Sequence, residues 1–117
     1  MDFEKHIDTH AEWNVIFRKA IVNKDTVNAD EIARDDCCEV GKWIYGEGQA
    51  KYANDPIFEI LKEKHTAFHD AAGEIARLIN NQEFEKAREM IALGTTFSEA
   101  SKNCSTAILT FKNESQL

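Results

Sequence analysis

Proline and glycine are scarce in this chain, with one Pro and five Gly among 117 residues. Turn-rich all-β folds draw heavily on both, so that class is excluded. Cysteine is scarce as well. There are three, an odd number, and Cys37 and Cys38 are adjacent. Neighbouring Cys rarely bond to each other, because the small ring strains the intervening peptide. A disulfide framework is therefore not expected, and a reducing cytoplasm is the expected compartment. No stretch approaches the roughly eighteen apolar residues of a transmembrane helix. The start, MDFEKHIDTH, lacks the basic, apolar and small-residue regions of a secretory signal. Positive charge is in deficit, with 14 Lys and Arg against 21 Asp and Glu and a net charge of -7. That balance argues against nucleic acid or an anionic membrane as partner.

What remains is a globular composition, 43% hydrophobic and 30% charged. The length suits one domain over 1–117. Helical periodicity runs through nearly all of it. From 2 to about 22, Phe3, Ile7, His10, Trp13, Phe17 and Ile21 recur at three- and four-residue steps, with Asp2 as a cap. Residues 23–29 are polar turn formers. A second helix is expected from Asp30 to about Tyr45, with Cys37 and Cys38 where a break would fall and Gly46-Glu47-Gly48 as its end. Asp55-Pro56 is the clearest start signal in the chain. It opens a helix to about Ile79 whose stripe is Ile57, Ile60, Leu61, His65, Phe68, Ala72, Ile75 and Ile79. A shorter helix over 82–93 and a last one over 95–111 follow, parted by Gly94. The expectation is an all-α protein, an antiparallel four-helix bundle with an additional short helix.

The anomaly is where the His residues fall. At 100° per residue, His65 lies about 40° and His69 about 80° from Leu61, within and at the edge of the apolar stripe. His10 lies about 20° from Phe3 on the first helix. A buried imidazole needs both nitrogens satisfied. One inward His is ordinarily a core histidine bonded to a backbone carbonyl. Three on two helices, with Cys nearby, point to one shared cation. An i, i+4 pair such as His65 and His69 places two imidazoles within reach of one ion. His6 stays open as a competing ligand from the first helix, and geometry does not separate Cys37 from Cys38. Cys104 sits mid-stripe and reads as a small core residue.

These residues carry a resemblance. Cys38-Glu39-Val40-Gly41-Lys42-Trp43, with Ile44 and Tyr45, is similar to the Cys-X-(Leu/Phe)-Gly-X-Trp-(Leu/Tyr) signature of the chemoreceptor zinc-binding (CZB) domain, Val40 being a small departure. His10-Ala11-Glu12-Trp13 resembles that family's His-X2-Trp, and His65-Thr66-Ala67-Phe68-His69 its His-X3-His element. The segment Phe97-Ser98-Glu99-Ala100-Ser101 is similar to its last helix. The resemblance implies a Zn²⁺ site of His10, Cys38, His65 and His69. It selects His10 over His6 and Cys38 over Cys37. Three imidazoles and a thiolate form a closed tetrahedral set that suits zinc and leaves no position for a catalytic water, so an enzyme is not expected. Cys38, beside Gly41, is expected on the softest segment, with oxidation of its thiolate as a weaker reading. Trp13 and Trp43 are expected to pack around the site, Gly41 to permit close approach, and Asp36 or Asp70 to orient an imidazole.

The resemblance also implies a regulatory domain that passes zinc status to an output domain, of the chemotaxis-receptor or GGDEF type, commonly as a homodimer. No output domain fits in 117 residues, so an excised sensory domain or a stand-alone member is expected. Two other readings differ in class. A hemerythrin-like di-iron bundle would need bridging carboxylates, yet Glu59, Glu63 and Glu74 sit apart from the His stripe. A metal-free helical interaction module would make the inward His a coincidence.

Overall fold

The computed structural model describes residues 3–92 and 95–114, with the side chains of 3, 4, 6 and 8–11 outside the description. The described residues are helical with no strand. Helix α1 spans Phe3–Asn23, α2 Ala29–Ala33, α3 Glu39–Trp43, α4 Gln49–Tyr52, α5 Pro56–Asn80, α6 Phe84–Met90 and α7 Thr96–Glu114. No helix among the described residues is long and apolar enough to cross a membrane.

Helix α5 is the spine. Asp55 caps it by accepting the Ile57 N–H at 2.9 Å, and Pro56 occupies its first turn, where a missing N–H costs nothing. Its buried stripe holds Phe58, Leu61, His65, Phe68, Ala72, Ile75 and Ile79. Helix α7 packs along it, burying Phe97, Cys104, Ala107, Ile108 and Phe111, and α1 closes over both with Phe17 and Ile21. Ile60, expected on the stripe, is half exposed. It lies about 100° from Leu61, too far round to share that face.

The second expected helix, from Asp30 to about Tyr45, is a broken run. Asn28, rather than Asp30, caps α2 through the Glu31 N–H. The chain leaves helix after Ala33, and Cys38 starts α3. Gly46-Glu47-Gly48 does not end it. The helix continues through a π-helical stretch, Ile44–Gly48, into α4. Ile44 and Gly48 are buried there, and Trp43, Tyr52, Phe58 and Phe111 form an aromatic cluster beside them, with centroids 5.1–6.3 Å apart. That packing outweighs the poor helix propensity of glycine. Helix α6 is shorter than expected because Gln82 takes a positive φ of 64 before it. Thr95 lies at the start of α7, where its hydroxyl accepts the Ser98 N–H. The Asp2 cap and Gly94 lie outside the described residues.

Candidate metal centre

A run of small residues on α5 decides how the site is built. A Cβ on Gly73 would lie 2.5 Å from the Ala33 Cβ, so α2 rests directly on α5 at this point. His69 lies one turn before Gly73 on the same helix. The close approach brings the Ile32 carbonyl 2.9 Å from His69 Nδ1. A carbonyl oxygen only accepts, so Nδ1 carries the proton and Nε2 keeps its lone pair. This is the backbone counterpart of the carboxylate that often orients a metal-binding imidazole.

His65 and His69 are both buried, and their ring centroids are 4.6 Å apart. The Cys38 sulfur faces both. It lies 3.2 Å from His65 Nε2 and 3.5 Å from His69 Nε2. A thiol has one proton and could serve only one of these nitrogens. A tetrahedral zinc with ordinary Zn–S and Zn–N bonds would hold S and N about 3.6 Å apart. The observed spacing fits that ion. Cys38, His65 and His69 are the His, Cys, Asp or Glu residues that converge in such a group among those described, their ligand atoms all within 4.8 Å of one another.

Cys38 reaches this place because it caps α3. Its backbone is extended, with φ -79 and ψ 165, and its sulfur accepts the Gly41 N–H at 3.3 Å. Burial pushes the thiol pKa up, although the Gly41 and Val40 N–H groups pull the other way. In His69, burial lowers the pKa, which keeps the ring neutral and ligand-ready. The metal-free pocket is therefore a thiol beside neutral imidazole, and a divalent ion would supply the drive to deprotonate the sulfur.

The family model for the chemoreceptor zinc-binding domain (CZB) matches residues 10–76. The chain belongs to this family. No curated protein and no solved structure matches the chain. The matched CZB region contains His10, Cys38, His65 and His69.

His10 lies on α1, but its side chain is outside the described residues, as is that of His6. Trp13, one turn further along α1, lines a cleft of about 430 Å³ together with Cys38, His69, Ile32 and Ile16. Cys37 is absent from the ligand group and bonds toward Asp36 at 3.7 Å. Cys104 is fully buried, its thiol pushed up to about 12 chiefly by burial. Trp43 packs in the aromatic cluster, and Gly41 lies against the Asp35 backbone.

Asp36 does not orient an imidazole. It is exposed and forms a two-pronged ion pair with Arg34, at 3.0 and 3.1 Å. Asp70 is exposed too. The acid that belongs to the site's framework is Asp35, whose Oδ2 accepts the Tyr45 and Thr66 hydroxyls, each at 2.5 Å. Burial works to raise its pKa, but those hydroxyls, together with His65 and its own backbone N–H, outweigh burial and the pKa is lowered. Sequence reasoning missed Asp35 because two carboxylates stand side by side there and no local pattern says which turns inward. It missed the Ile32 carbonyl because a backbone atom leaves no mark in composition.

Proposed function

We propose that this CZB chain is a zinc-sensing regulatory domain that binds one Zn²⁺ through His10, Cys38, His65 and His69. The observation that carries this reading is one sulfur facing the Nε2 atoms of two buried imidazoles at zinc-like spacing. His10 completes the tetrahedron. It is supported by the family match, which begins at this residue, and by Trp13 on the same helix lining the cleft at Cys38 and His69. Bound zinc supplies a cross-link between side chains and, with four protein ligands, no open position for hydrolysis. The domain is accordingly not an enzyme.

The chain's own residues set the logic of sensing. His65 and His69 are preformed on a long capped helix. Cys38 sits on the five-residue break between α2 and α3 and must be held from outside its own segment. Zinc binding would fasten this break to α5, and zinc loss would free it. The reading places the domain in the cytoplasm as a homodimer that passes zinc status to an output domain of chemotaxis or GGDEF type.

Metal analysis of the purified chain tests this, beside Cys38→Ser, His65→Ala and His10→Ala variants. One zinc per chain, lost or strongly weakened in each variant, is expected. Two irons would favour the di-iron alternative. No metal, with no uptake of added zinc, would leave the interaction-module reading.

A further inference from the structure

The break that carries Cys38 has few anchors of its own, since it has left helix at Ala33 and re-enters only at Glu39. Asp35, three residues before the sulfur, ties it to neighbouring elements. Two hydroxyls from separate elements donate to the same oxygen, Asp35 Oδ2. Thr66 is the residue after His65 on α5, and Tyr45 is the second residue of the π-helical stretch. The Thr66 hydroxyl also lies 3.0 Å from the Lys62 carbonyl. It has a single proton, and the shorter contact is to the carboxylate. On the backbone side, the Asp35 carbonyl lies where a Cβ on Gly41 would be only 1.9 Å away, so the first turn of α3 seats on this peptide. Asp35 is thus pinned to α5, to the π stretch and to α3 at once.

We propose that Asp35 is the positioning residue of the metal centre: clamped by the Thr66 and Tyr45 hydroxyls, it holds the break on α5 where the Cys38 sulfur meets His65 and His69. The clamp and the ligands share a register. Thr66 follows one ligand directly, so the element that presents the imidazoles also sets the height at which the thiol arrives. Tyr45 extends the connection, because displacement of the Cys38 segment must break this bond or drag the start of the π-helical stretch. Stretches of π-helix are less regularly bonded than α-helix and often mark functional positions.

This inference rests on the zinc reading above, and its test separates the two. Asp35→Ala, Thr66→Val and Thr66→Ser chains are compared with the wild type by zinc competition against a chromogenic chelator. The same proteins are loaded with Co²⁺, whose thiolate charge-transfer band reports Cys38 bonding directly. Asp35→Ala and Thr66→Val are expected to weaken zinc by about 10–100-fold, the usual effect of losing an outer partner. They should also diminish the thiolate band, while Thr66→Ser, which keeps the hydroxyl, restores both. Weaker zinc with an undiminished band would overturn positioning, since it would leave only a long-range charge effect. Unchanged affinity and band in both variants would likewise overturn it, with the zinc reading intact. A wild type that takes up neither metal would overturn the zinc reading itself and this inference with it.

Discussion

Gly41→Ala is the sharpest single test of how this site is assembled. The added Cβ would sit 1.9 Å from the Asp35 carbonyl oxygen and 2.8 Å from its carbon. Ordinary contact begins about 1.5 Å further out than the closer of these. The obstructing atoms are backbone and cannot rotate away as a flexible side chain would. Either α3 lifts or the break at 34–38 shifts, and both carry Cys38, whose sulfur accepts the Gly41 N–H. Overpacking of this kind costs about 2–3 kcal/mol when the neighbour is rigid. For a domain of this length that is a fall in Tm of roughly 8–12 °C. Far-UV circular dichroism melts of the metal-free protein read the cost, and chelator competition reads a matching zinc loss of at least about tenfold. Gly46→Ala is the control. Nothing lies within 4 Å of its Cβ position, so replacing a helical glycine should raise stability by about 0.5–1 kcal/mol. A Gly41→Ala protein that melts with the wild type and binds zinc as tightly would refute the close packing of α3 on Asp35.

Other outcomes follow from burial. In the folded, metal-free protein, a thiol reagent near neutral pH should label Cys37 well before Cys104, whose thiol is fully buried and pushed up to about 12. Quenched labelling with peptide mapping gives the order. Cys104→Ser should cost about 1–3 kcal/mol in a denaturant melt by burying a hydroxyl, yet leave one zinc per chain. His69 has a lowered folded pKa, so the unfolded chain binds more protons as pH drops. The metal-free protein should therefore hold this contribution above about pH 6.5 and lose it progressively below. Urea unfolding across that range, with His69→Gln flattening the dependence, is the check. Asp35, also depressed, should add a separate loss below its ordinary value of 3.8.

Much of this was legible in the residues. The Asp55-Pro56 start and the stripe behind it locate α5 almost to the residue, since capping and periodicity are local properties. That stripe also exposes the anomaly of His65 and His69 facing inward. Less legible was the run from 29 to 52. Local signals there put the first cap at Asp30 and the stop at Gly46-Glu47-Gly48. The structure caps at Asn28 and carries helix through the glycines, because aromatic packing around Trp43 and Phe58 overrides propensity. Asp36 was expected near the imidazoles, yet it is Asp35 that turns inward, for a similar reason. Their side chains differ in nothing but direction, and direction depends on where Thr66 and Tyr45 lie.

By itself, then, the sequence determined the helical class, the long helices and the identity of an inward imidazole pair, because each follows from spacing along one segment. Spacing left the cysteine open and the family resemblance named Cys38; tertiary structure brings that sulfur to the pair, and decided which carbonyl fixes the tautomer of His69 and which carboxylate holds the break in place. Those choices rest on pairs 27–37 positions apart, Cys38 with His65, Asp35 with Thr66 and Ile32 with His69, and on the close helix contact of Gly73 with Ala33. No local pattern encodes such meetings. They exist only once α2, the break and α5 have packed together.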